Sequence, residues 1–243
     1  MGRVLFISDL HLAPEEPGTA DRFFEFLRDI EGKARALYIL GDLFEIWIGD
    51  DELEAPFQAS ISRAIRKLVD SGTSVAIMHG NRDFLLGSAF LAATGATLLP
   101  DPCVIDLNGE ATLLLHGDSL CIDDHAYQDF RQQVRDPAWQ KTFLNKPIDE
   151  RRAIARKYRE DSRDAQTGKA KAILDVNPDA VRQAFLDFKC RRMIHGHTHR
   201  PARHLLAIDG QPHERWVLPD WYGDGGYLAC AATGCSLQEL VTH

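Results

Sequence analysis

Val4-Leu-Phe-Ile-Ser-Asp-Leu-His11 runs four apolar residues straight into an aspartate and a histidine. An apolar run of this length, with no polar alternation, suits a strand buried on both faces. The same arrangement recurs down the chain. Ala36–Leu40 leads into Gly41-Asp42, and Ser74–Met78 into Gly80-Asn81-Arg82-Asp83. Thr112–Leu115 leads into His116-Gly117-Asp118, and Arg191–His195 into Gly196-His197-Thr198-His199. Phe23–Ile30 and Ile61–Val69 separate the first three strands and carry apolar residues at helical spacing. Strands alternating with helices predict an α/β chain with at least a partly parallel sheet.

Val104–Leu107 and Thr112–Leu115 flank Asn108-Gly109, a strong hairpin signal. Arg203–Ile208, Arg215–Leu218 and Tyr227–Ala231 read as further strands. From about Asp124 to Asp175 the strand signal disappears. Tyr127, Phe130, Val134, Trp139, Phe143 and Tyr158 fall at broadly helical spacings there. Between Lys146 and Lys171 nine Lys/Arg face five Asp/Glu, so a chain of net charge -8 carries a locally cationic stretch. The 243 residues therefore read as one domain, 1–243, with a helical insertion at about 124–175.

The acidic balance argues against a nucleic-acid partner, which usually needs a basic surface. It leaves a phosphorylated substrate open, because bound dications reverse the sign of a carboxylate-rich site. The cysteines at 103, 121, 190, 230 and 235 are odd in number and form no C-x-x-C pair. That predicts neither a disulfide framework nor a zinc ribbon, and favours a reducing cytosol. Cys121 and Cys190 sit beside apolar runs and read as packing residues. The N-terminus lacks a signal-peptide core, and no apolar run approaches a membrane span. Nothing in the sequence calls for a protein partner.

Chemistry rests on the five motifs taken together. Alone, an Asp-x-His is usually a surface accident, a Gly-Asp a turn, and Asn81 a cap or turn residue. His116 alone reads better as a hydrogen-bonded core histidine. In α/β sheets, however, loops beyond the strands' carboxyl ends converge on ligands. Together these loops bring carboxylate, imidazole and amide donors, a set suited to Mn²⁺, Fe²⁺, Co²⁺ or Zn²⁺.

The five motifs resemble those of the calcineurin-like metallophosphoesterases. The resemblance implies a four-layer fold, a β-sandwich flanked by helices, with the insertion as a lid. It implies that Asp9, His11, Asp42 and His199 hold one ion, and that Asp42, Asn81, His116 and His197 hold the other. Two ions roughly 3.5–4 Å apart activate water for in-line attack on phosphorus. Most of that superfamily has a histidine where this chain has Arg82. Arginine cannot act as a general acid but can clamp phosphate oxygens. Asn81 and Arg82 are accordingly the catalytic candidates, and a pyrophosphate, whose leaving group needs little protonation, suits the site.

Longer strings, Tyr38-Ile-Leu-Gly-Asp-Leu-Phe-Glu45, Trp47-Ile-Gly-Asp-Asp51, His79–Gly87 and His195–Pro201, resemble the branch that hydrolyses UDP-2,3-diacylglucosamine. This implies release of UMP and 2,3-diacylglucosamine 1-phosphate in lipid A biosynthesis, with two Mn²⁺ (Mg²⁺ also being compatible) and attack on the α-phosphorus. It further implies substrate contacts from Asn81, Arg82, Asp124, Ser162, Gln166, Lys169 and His197, with Gln166 departing from the asparagine often found there. The cationic insertion, read with its apolar residues, fits a lid that meets acyl chains and anionic lipid. The expected location is peripheral, on the cytoplasmic face of the inner membrane. Another phosphoesterase, such as a dinucleoside-polyphosphate hydrolase, or a non-enzymatic scaffold of the same fold, is the competing expectation. Arg82 and the insertion speak against the first, the complete donor set against the second.

Overall fold

The computed structural model describes residues 2–167 and 175–240, with the side chains of 163–167 left aside. Eleven strands form two sheets among the described residues. The first contains β1 (Arg3–Ile7), β2 (Ala34–Leu40), β3 (Ser74–Met78), β4 (Thr97–Leu99), β10 (Gly226–Ala231) and β11 (Gly234–Glu239). Its order is β11-β10-β1-β2-β3-β4, with β1 to β4 mutually parallel and β10 antiparallel to both neighbours. The second contains β5 (Cys103–Leu107), β6 (Glu110–Leu114), β7 (Arg192–His195), β8 (Ala202–Ile208) and β9 (Gln211–Val217), in the order β5-β6-β7-β9-β8.

Alternation along β1 explains how the layers stack. Val4 and Phe6 point between the sheets, where they meet Leu40, Met78, Leu114, Ile194 and Trp216. Leu5 and Ile7 point the other way, into a core shared with α1 (Pro17–Ile30), α2 (Pro56–Asp70) and α3 (Ser88–Thr94). The outer face of the second sheet carries Leu113, Leu115 and Met193 against Val181 and Phe185 of α7 (Pro178–Phe188). The result is the four-layer sandwich expected, helices outside and two sheets within. Cys121 and Cys190 are buried in that last core.

One cysteine expectation is corrected. Cys230 and Cys235 are joined in a disulfide. They stand directly opposite one another in the β10–β11 hairpin, with Cα atoms 4.1 Å apart. An odd count with no C-x-x-C pattern cannot reveal such a pairing, because β11 itself carried no strand signal to set the register.

Residues 124–175 include α4 (His125–Arg135), α5 (Pro137–Leu144) and α6 (Ile148–Thr167). Asp124 and Asp136 cap the first two, accepting from Tyr127 N and from Ala138 and Trp139 N. The arginines beginning α6 do not all face outward. Arg151 is buried, and its guanidinium donates to the Ile48 carbonyl at 2.6 Å and to the Asp51 carboxylate. Arg152 reaches Glu52 at 3.5 Å. Two cations of the locally basic stretch therefore tie α6 to the loop after β2. The neighbouring Asp50 is also structural, accepting from Gly87, Ala89 and Phe90 N at the start of α3.

Candidate metal centre

Each of the five motifs leaves the carboxyl end of a strand, β1, β2, β3, β6 or β7, and the loops meet at one edge of the sandwich. Their backbones are unusual. Eight non-glycine residues have positive φ among the described residues, and five of them are Asp9, His11, Asp42, His197 and His199. Left-handed conformations cost about 1–3 kcal/mol where surroundings impose them, and they concentrate where side chains must be aimed. Two glycines permit the crowding that aims them. A side chain on Gly80 would overlap the Asp42 carboxylate, and one on Gly196 would overlap Ser8 and Asp9.

Backbone hydrogen bonds lock the loops to one another. Asp9 N donates to Gly41 O at 3.1 Å, His11 N to Asp42 O at 2.9 Å, and Gly196 N to His116 O at 2.8 Å. The side chains then converge. Asp42 Oδ2 lies 3.7 Å from Nε2 of His11 and 3.7 Å from Nε2 of His116, one histidine from each expected ligand set. Asn81 Oδ1 lies 3.0 Å from His116 Nε2 and 3.0 Å from His197 Nδ1. His199 Nε2 lies 3.4 Å from Asp9 Oδ1. Donor atoms of Asp9, His11 and His199 fall within 4.8 Å of one another, as do those of Asp9, Asp42 and His116. All seven expected ligands thus stand at one place, and Asp9 belongs to both groups.

Beside this cluster a cavity of about 380 Å³ runs beneath α4 to α6. Trp47, Phe84, Phe130, Trp139, Phe143 and Tyr158 give it apolar walls, while Asn81, Arg82, Asp124 and Ser162 stand on its lining. Arg82 Nε is buried without a hydrogen-bond partner, although its backbone N is held by Asp42 Oδ1 at 2.8 Å. Gln166 lies in α6, in the part whose side chains are not described, and Lys169 lies outside the described residues.

The calcineurin-like phosphoesterase family model matches residues 2–201. The chain is also 52% identical over 231 residues to the UDP-2,3-diacylglucosamine hydrolase of Pseudomonas paraeruginosa, covering 95% of this chain and 96% of that protein. Identity to the protein of the same name from Cellvibrio japonicus is 47%, over 97% and 98% of the two chains. The chain belongs to the calcineurin-like phosphoesterases. Within them it joins the relatives named UDP-2,3-diacylglucosamine hydrolase.

The electrostatics of this phosphoesterase fit a cation at the cluster. Burial pushes the Asp42 carboxyl up, and the nearby His116 and His11 only partly oppose it. His116 is fully buried, which disfavours its charge, yet Asp42, Asp118 and Asp9 raise it to about 9. Burial and the His116 charge lower His197 to about 4. Nδ1 of His116 lies 2.9 Å from the Leu40 carbonyl, which fixes its donor and turns Nε2 towards Asn81 and Asp42. Asp9 Oδ1 and His11 Nε2 are buried with no hydrogen-bond partner. Unpartnered oxygens and nitrogens, with a proton confined among carboxylates, are what a dication would satisfy.

Several residues that support the cluster carried no assigned role in the motifs. Asp83 ends the third motif, and its carboxylate accepts from Gly80 N at 2.8 Å and Leu43 N at 2.7 Å, tying two loops together. Asp118 ends the fourth and receives Tyr127 Oη at 2.6 Å and Arg131 Nε at 2.8 Å, joining α4 to the site. Both stood in the quoted strings, so their positions were visible and their tasks were not. Tyr222, whose ring lies parallel to His11 with centroids 4.9 Å apart, had no motif at all.

Proposed function

We propose that this chain hydrolyses the pyrophosphate bond of UDP-2,3-diacylglucosamine, giving UMP and 2,3-diacylglucosamine 1-phosphate, a step of lipid A biosynthesis. The observation that carries the reading is the donor cluster standing beside an apolar-walled cavity, with Asn81 belonging to both. Asp9, His11, Asp42 and His199 would hold one divalent ion, and Asp42, Asn81, His116 and His197 a second, with manganese the preferred metal. When bound, the two ions supply Lewis acidity and an acidified water nucleophile near neutral pH.

The chain's own residues do the rest. Asn81 and Arg82 bracket the α-phosphate. The planar guanidinium of Arg82 grips two of its oxygens and neutralises the charge that builds as the fifth oxygen approaches. No residue need protonate the departing group. It leaves as the phosphate of the lipid product, a weak base, which is why an arginine serves where other members carry histidine. His197 is oriented through Asn81, and its ring, kept neutral, faces the same phosphate.

The segment at about 124–175 acts as a lid within a single domain. Its aromatic walls take the acyl chains, and Asp124, Ser162, Gln166 and Lys169 take the polar sugar phosphate. The acyl chains bring the enzyme to a membrane surface on the cytoplasmic side, with lid cations meeting anionic headgroups. Among the described residues no helix is long and apolar enough to cross a membrane.

The test is a competition of substrates. Mn²⁺-loaded protein is assayed on UDP-2,3-diacylglucosamine in mixed micelles, on a diadenosine polyphosphate, and on p-nitrophenyl phosphate. The lipid nucleotide should have the highest kcat/KM by orders of magnitude; preference for a water-soluble compound would overturn the assignment.

A further inference from the structure

Glu45 closes the second motif string and is buried at 5% exposure. Its carboxylate is shared three ways. Oε2 lies 2.7 Å from His11 Nδ1 and accepts from the Tyr222 hydroxyl at 3.3 Å. Oε1 lies 2.5 Å from the guanidinium of Arg159, which stands on α6. One buried carboxylate thus touches an expected ion ligand on one side and the helical cover on the other.

We propose that Glu45 is a positioning residue that couples the seating of α6 to the ligand geometry of His11. The proposal rests on the two-ion reading above. A carboxylate 2.7 Å from Nδ1 holds the imidazole's rotation by their contact, and leaves Nε2 facing Asp42 at 3.7 Å. The same carboxylate cannot stay buried without compensating charge, and Arg159 supplies it from the cover. Withdrawal of α6 therefore removes the partner that keeps Glu45 aimed, and His11 loses its brace. Linkage is reciprocal, so an ion held by His11 favours the seated helix to the same degree that the seated helix favours the ion. Substrate entry beneath the cover and metal retention are then one equilibrium.

The experiment measures Mn²⁺ affinity by calorimetry and amide exchange over residues 148–162, with and without Mn²⁺, on the full chain. In the wild type, Mn²⁺ should slow exchange across these residues. E45A should bind Mn²⁺ about 10–100-fold more weakly. E45Q, which keeps an acceptor for His11, should recover part of that loss. In E45A, E45Q and R159A alike, exchange of the helix should no longer respond to Mn²⁺. A helix that still responds in E45Q and R159A, or wild-type affinity in E45A, would overturn the coupling. If E45A does not fold, E45Q and R159A test the link from its two ends. Wild-type protein that bound no Mn²⁺ at all would remove the two-ion reading itself, and the coupling with it.

Discussion

The floor of the site and its cover are built by different physics. The floor consists of five loops whose backbones hydrogen-bond to one another and whose ligands sit at the ends of core strands. Its strained φ angles persist because the packed sheets fix the strand from which each loop leaves and the loops are hydrogen-bonded to one another. The cover consists of three helices whose hold on the floor runs largely through side chains, including Arg151, Arg152 and Arg159 on α6 and Tyr127 and Arg131 on α4. A frame fixed by backbone suits catalytic geometry, which tolerates little displacement. A cover held by side chains, apolar ones such as Phe143 and Ile154 as well as ion pairs, can open without unmaking the backbone frame, which substrate entry requires.

The sharpest way to break the contrast is to remove a carboxylate that faces histidines of both expected ligand sets. Asp42 lies 3.7 Å from two imidazoles, and its backbone and side chain also engage Asp83 and Arg82 N. Asp42→Ala should lower kcat/KM by about 10³-fold or more, the scale of several kcal/mol of charge stabilisation. It should leave the circular dichroism spectrum of the fold in place, because the loss is local to the loops. Measured Mn²⁺ content should fall with activity; full activity after chelation would contradict the two-ion floor.

The floor was legible because its chemistry is local in sequence: a strand, a turn and one or two ligands within a dozen residues. The strands after Val4, Ala36 and Ser74 and the hairpin at Asn108-Gly109 were legible for the same reason. The cover was legible only as a change of composition. Arg151 looks like any other cation in α6, and only its buried partners, the Ile48 carbonyl and Asp51, give it a different task. The Cys230–Cys235 pair was hidden by β11, whose residues alternate on a largely exposed edge and include little apolar signal. Glu45 was in view within a quoted string, yet its three partners come from distant parts of the chain.

A second prediction uses protonation to separate floor from cover. The ordinary value of a histidine, 6.5, is raised at His116 to about 9 in the folded protein. A raised value means the fold binds the proton more tightly than the unfolded chain. The stability this contributes is fully present below pH 6.5 and is lost as pH climbs through 9. His11 is shifted in the same direction, while His195 and His197, lowered to about 3 and 4, act below this window. Chelated protein should therefore lose several degrees of Tm between pH 6.5 and 9. Protein with saturating Mn²⁺ should not, since the ion replaces the proton and binds more tightly as pH rises. Parallel pH profiles with and without metal would place the proton elsewhere.

The smallest effects are expected in the cover, and there two adjacent arginines give opposite answers. Arg151 is 3% exposed and donates to Ile48 O, Lys146 O and Asp51. Arg151→Ala leaves buried carbonyls without donors, which should cost about 2 kcal/mol. The loss should concentrate in α6, seen as faster amide exchange at 148–162 and easier proteolysis there. Arg152 is 44% exposed on its side chain, and its contacts are 3.5 Å to Glu52 and 3.3 Å to Asp149. Arg152→Ala should cost less than Arg151→Ala, because Arg152 is half exposed, its contact to Glu52 is long, and Glu52 keeps the Ile48 N–H as a donor. If both substitutions loosen α6 equally, burial of Arg151 adds nothing beyond its charge. If only Arg151→Ala does, a single buried guanidinium anchors the N-terminal end of α6, and Arg159, eight residues on in the chain (Cα atoms about 12 Å away at helical rise), holds the helix beyond it through Glu45.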